Sequence, residues 1–157
     1  MRILILLFLL TGCSVTRFYQ GPAVSQELKK NETSLELVKE TLEADYEQKE
    51  DFLEQFQVRG KDPFIKEGLD QKLTEMRLKR EAVLQRMSHI KELNSGLLGK
   101  VEKKSKISEG DPVFKAIENF ADDKDRELSV LMKEFTNYKK ASEEFEKLAF
   151  FTKMVKR

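Results

Sequence analysis

Cysteine is nearly missing from this chain. A single Cys in 157 residues allows no disulfide within it, so packing alone must hold the fold. Tryptophan is absent, proline occurs three times and glycine seven times. Histidine occurs once, as His89, which excludes a His-rich metal site within one chain. A di-iron bundle needs Glu-x-x-His on facing helices, but the residue three before His89 is Arg86. There is no Gly-rich phosphate loop and no nucleophile-elbow motif. Neither sign of charge dominates: 29 basic residues face 28 acidic ones, leaving no global field to draw nucleic acid or an acidic substrate. No apolar run is long either. The longest, Ile3 to Leu10, falls far short of the roughly 20 residues of a membrane-spanning helix. These absences lead us to expect a non-enzymatic protein with no cofactor, no metal, no small-molecule substrate and no nucleic-acid partner. His89 then reads as an ordinary surface or boundary residue.

What is present begins with the leader. Met1-Arg2 is a short positive start, Ile3 to Leu10 is apolar, and Thr11-Gly12 are small residues ahead of Cys13. That is the build of a secretory signal. Leu10-Thr11-Gly12-Cys13 resembles the lipobox of bacterial lipoproteins, whose cysteine is lipid-modified and becomes the mature N-terminus. The resemblance covers the leader alone and implies a signal peptide over 1–12, a palmitate-type lipid on Cys13 and attachment to a membrane. Ser14 follows the lipidated position, where an aspartate tends to retain such proteins in the inner membrane. Its presence implies the outer membrane, periplasmic side.

After Cys13, a tether over 13–23 lacks periodicity and closes with Gly21-Pro22, a loop signal. Charged residues make up 36% of the chain, a bias towards Glu, Lys, Leu and Arg that suits long helices and coiled coils. Apolar residues then recur in steps of four and three: Val24, Leu28, Leu35, Val38, Leu42, Phe52 and Phe56, with Asn31, Asp45 and Lys49 filling the gaps. Ser25 is the expected N-cap of this first helix. Arg59-Gly60-Lys61-Asp62-Pro63 stops and restarts the pattern, with Asp62 as cap and Pro63 at the first helical position. Glu109-Gly110-Asp111-Pro112 nearly copies that break. Between the breaks run Leu69, Leu73, Met76, Val83, Met87, Ile90 and Leu97, with Arg80 and Asn94 in the polar slots. Asn94-Ser95-Gly96 and Gly99 are expected to fray or kink the helix, and Lys100 to Ser108 to form a basic connector. The third segment carries Ile117, Phe120, Leu128, Leu131, Phe135, Tyr138, Phe145 and Leu148.

The expected fold is therefore all-α, an elongated antiparallel three-helix bundle or coiled-coil rod over 24–157, with helices at about 24–59, 63–99 and 112–156. The first helix is acidic and the second basic, which favours their pairing. With the turn near residue 60, Asp45 should lie opposite Arg80 in a polar layer that sets register.

Two surfaces stand out. Arg77-Leu78-Lys79-Arg80 and Lys100 to Lys106 fit anionic headgroups, or simply neutralise the acidic helix. Phe150, Phe151 and Met154 fan beyond the core stripe. They either cover the first helix near the tethered end or form a docking patch. The leading expectation is a non-catalytic envelope lipoprotein, anchored through Cys13, whose rod meets an envelope protein as adaptor, assembly factor or spacer. The alternatives are a holdase-like helper for exported clients and a cell-wall linker. The latter resembles small helical lipoproteins joined to peptidoglycan through a C-terminal lysine, where this chain ends Lys156-Arg157.

Overall fold

The computed structural model describes residues 17–58 and 63–154. Three helices account for most of them: α1 (Gly21–Val58), α2 (Pro63–Val101) and α3 (Pro112–Met154). At 1.5 Å per residue the 38 residues of α1 span about 57 Å and the 43 of α3 about 64 Å. The chain is an all-α three-helix bundle. None of its described helices is long and apolar enough to cross a membrane.

Cross-helix contacts fix the directions. Arg80 meets Glu43 at 3.0 Å, Lys91 meets Glu36 at 3.8 Å and Ser95 donates to Glu32 at 3.3 Å, so α1 and α2 are antiparallel. Lys72 meets Glu144 at 2.5 Å and Arg86 meets Glu127 at 3.4 Å, so α2 and α3 are antiparallel as well. α1 and α3 consequently run parallel, with Lys49 on Glu146 at 2.7 Å and Phe52 edge-on to Phe145 at 6.0 Å. α2 packs closely on α3 at Gly68, where a Cβ would stand 3.1 Å from the Leu148 methyl.

Two apolar clusters run the length of the bundle. The larger joins Leu42, Tyr46, Leu53 and Phe56 to Leu69, Met76 and Val83 of α2 and to Leu131, Tyr138 and Phe145 of α3. The smaller, at the end where α1 begins, gathers Leu28, Leu97, Val101, Ile107, Phe114 and Ile117. Every apolar position expected to face inward from α2 is buried. On α1 the face is wider than expected, because Tyr46 and Leu53 are buried beside the anticipated stripe while Leu35, Val38 and Phe52 are partly buried. A helix flanked by two neighbours needs a stripe broader than a two-stranded seam.

Several expectations need correction. The tether is not all loop: β1 (Phe18–Gln20) pairs antiparallel with β2 (Lys106–Ser108) from the α2–α3 connector, in the register Phe18 to Ser108, Tyr19 to Ile107 and Gln20 to Lys106. α1 begins at Gly21, not 24, with Pro22 in its first turn, where its missing N–H costs nothing. Ser25 is thus a buried residue inside the helix rather than its N-cap. Asn94 to Gly99 do not fray; α2 continues to Val101, with Leu97 and Val101 buried in the end cluster. At the second break Asp111 is the cap, its carboxylate accepting the Val113 N–H at 2.9 Å. The cap expected at Asp62 lies outside the described residues.

Candidate functional site

The sole cysteine, Cys13, and the signal peptide and lipobox expected around it lie outside the described residues, as does Ser14. What is described is the closure immediately after them. The alternation of β1 and β2 sends Tyr19 and Ile107 inward, with Ile107 fully buried and the Tyr19 ring 4.9 Å from that of Phe114. Phe18 and Lys106 face outward, the ammonium 4.6 Å from the ring centroid. Gly21 makes this closure possible. A Cβ there would sit 1.7 Å from the Lys104 carbonyl oxygen, and its own N–H donates to the Ser105 carbonyl at 3.2 Å. Lys104 in turn pairs with Asp111, so the connector is tied to the start of α3 as well as to the tether. That ammonium, and then the Val113 N–H, hold the Asp111 carboxyl below its ordinary range.

The polar layer exists, but not as Asp45 opposite Arg80. Asp45 accepts hydrogen bonds from Lys49 at 2.6 Å, Tyr138 at 2.8 Å and Ser142 at 3.0 Å. Lys49, with only 5% of its side chain exposed, completes the group by reaching Glu146. Arg80 lies instead against Glu43, with its guanidinium 4.2 Å from the Tyr46 ring centroid. Asp45 stands on the side of α1 that faces α3, whereas Glu43 and Tyr46 stand on the side that faces α2.

Burial pushes the Asp45 carboxyl upward, but the Lys49, Tyr138 and Ser142 donors and the Lys49 charge outweigh it and hold it below its usual value. Burial lowers Lys49, and its bonds to Asp45 and Glu146 more than restore it. Burial, then the bond to Asp45, raises the Tyr138 phenol. Asp45 and Lys49 are thereby kept charged and Tyr138 neutral.

A second polar level involves Asn31 and Asn94. Asn94 is fully buried, and neither its Oδ1 nor its Nδ2 has a hydrogen-bond partner among the described residues; nor does Asn31 Nδ2. Each asparagine adjoins one partner of the Ser95–Glu32 bond, so the two lie within a helical turn of each other along the bundle.

The far end of the bundle carries the expected docking residues. Phe150 is 55% exposed and Phe151 62%, while the side chain of Met154 lies outside the described residues. Because α1 and α3 are parallel, this patch sits at the end opposite the tether; it does not cover the tethered end of the first helix. Sequence reasoning missed Phe64, 83% exposed in the first turn of α2, which the Gly68–Leu148 contact places at the same end. The signal was an aromatic directly after Pro63, off the heptad stripe. Nearby, between α1 and α3, a shallow groove of about 250 Å³ is lined by Gln48, Lys49, Phe52, Phe145 and Phe150. Among the described residues no group of His, Asp or Glu is placed to hold a metal ion. His89 lies half-exposed, 3.8 Å from Glu127.

Comparisons of the chain with protein-family models, with curated proteins and with solved structures found no match.

Proposed function

We propose that this chain is a non-catalytic envelope lipoprotein, anchored through a lipid on Cys13 to the outer membrane on its periplasmic side. Its rod presents a partner-binding end away from the bilayer as an adaptor, assembly factor or spacer. The observation that carries the reading is the opposition of the two ends. The tether is clasped to the base of the bundle, and exposed Phe64, Phe150 and Phe151 lie about 50 Å away along the rod, near the tip. The leader supports the anchor, and a cluster of exposed aromatics supports protein recognition at the tip. Confinement in two dimensions would raise the effective concentration for a partner in the same envelope.

The test is made in cells. Cys13→Ser should move the protein from the membrane fraction to the soluble one and abolish incorporation of labelled palmitate. A photocrosslinker at position 151 should capture an envelope protein that one at the solvent-facing position 77 does not. Absence of labelled palmitate from the parent chain, or retention of Cys13→Ser in membranes washed with high salt, would overturn the anchor, and identical captures at the two positions would overturn the tip.

A further inference from the structure

The base of the bundle has chemistry of its own. The pleat of the β1–β2 ribbon turns Tyr19 and Ile107 into the end cluster and leaves Phe18, 46% exposed, on the outer surface beside Lys106. The ribbon and the turn before it are cationic. Residues 17–20 and 100–106 hold Arg17, Lys100, Lys103, Lys104 and Lys106 against one acid, Glu102. Glu102 is already engaged by Lys29 at 2.7 Å, and Lys104 by Asp111. Arg17, Lys100, Lys103 and Lys106 are exposed and have no carboxylate partner among the described residues. An exposed aromatic ring with one ammonium 4.6 Å away, and three more exposed cations without carboxylate partners in the flanking segments, matches the interfacial zone of an anionic bilayer.

We propose that this outer face of the ribbon lies directly on anionic lipid headgroups, with Phe18 in the interfacial zone and Arg17, Lys100, Lys103 and Lys106 over the phosphates. The choice of a bilayer as occupant rests on the anchoring proposed above. With residues 18–20 held in a strand, only five residue steps separate Cys13 from Phe18, at most about 18 Å of chain. A lipid on Cys13 therefore keeps this face at the membrane surface. The face then supplies a second, salt-sensitive attachment beside the lipid, and it sets the rod's orientation as the lipid alone cannot.

The chain contains no tryptophan, so Phe18→Trp and Phe64→Trp each place one reporter at one end of the full-length protein. Each variant is reconstituted into phosphatidylcholine vesicles with and without phosphatidylglycerol. The residue-18 reporter should shift to the blue and be quenched severalfold more by a headgroup-proximal brominated lipid when phosphatidylglycerol is present. High salt, and Lys100→Gln/Lys103→Gln/Lys106→Gln in the same background, should both abolish the difference. The residue-64 reporter should respond to neither lipid. Equal signals from the residue-18 reporter in the two vesicle types would overturn the face, as would equal quenching at residue 64. Helix content of each variant, measured by circular dichroism, shows that the bundle is intact. The mass of the N-terminal fragment reads the anchor independently. An unmodified Cys13 overturns the anchor whatever the reporter does, and an acylated Cys13 without a phosphatidylglycerol response overturns the face alone.

Discussion

Asn94 has the most exposed consequences of any single residue, because it is buried without a hydrogen bond from its amide to any described group. An unsatisfied buried amide destabilises, and Asn94→Leu should raise stability by about 1 kcal/mol, measured by urea unfolding. A loss would show that the amide is satisfied by solvent inside the bundle. Asp45 is the opposite case. Asp45→Ala strands the nearly buried Lys49 ammonium with Glu146 alone and removes the acceptor of Tyr138 and Ser142. It should cost about 2 kcal/mol and lower Tm by roughly 8 °C. Asp45, Glu75, Asp111 and Glu144 are all held below their ordinary carboxyl values, the last three by lysine hydrogen bonds. A depressed carboxyl contributes stability above its unfolded value and loses it as pH falls through the folded one. Thermal stability should therefore hold near neutrality and decline below about pH 4, with Asp45→Asn showing the smaller decline. Equal declines would remove Asp45 from the acid response.

The elements differ in how far they could be read from sequence. α2 was legible almost residue by residue. Leu69, Leu73, Met76, Val83, Met87, Ile90 and Leu97 recur in strict four-three steps, and all are buried against both neighbours. α1 was not legible in facing, since a linear seam records one direction and this helix buries two. Tyr46 and Leu53 therefore fall outside the seam, and Asp45 bonds Tyr138 while Arg80 pairs with Glu43. The β1–β2 ribbon was illegible. Phe-Tyr-Gln and Lys-Ile-Ser are too short to show alternation, and each becomes a strand only by meeting the other across two helices. Gly21 carried a signal that pointed the wrong way: it was read as a loop marker, whereas the close Lys104 carbonyl is what excludes a side chain. Gly21→Ala should separate the ribbon from α1 while sparing the larger cluster. Amide exchange at residues 18–20 and 106–108 should quicken severalfold, with exchange around Met76 and Val83 unchanged. Unaltered exchange at the ribbon would mean that the connector simply shifts.

At the scale of the whole molecule, three aromatics at one end each keep more than half of their surface in solvent, so their removal should not unfold the rod. Phe64→Ser/Phe150→Ser/Phe151→Ser should leave stability within about 1 kcal/mol of the parent yet lose the crosslinked envelope partner. A triple variant that melts early would reassign the cluster to the core; one that keeps its partner would move recognition to the sides of the rod. The ends are distinct because an odd number of helices puts the two described ends of the chain at opposite poles. An even-numbered bundle would have returned the C-terminal aromatics to the base.

The ribbon also imposes an order of events. β1 is made first but cannot pair until α2 and β2 have been synthesised behind it. Any processing enzyme acting just ahead of Phe18 would therefore meet an unclasped strand for as long as the rest of the chain is still arriving. Once β2 arrives the seal closes over residues 18–20, and only then is the chain just ahead of them held at the base of the bundle.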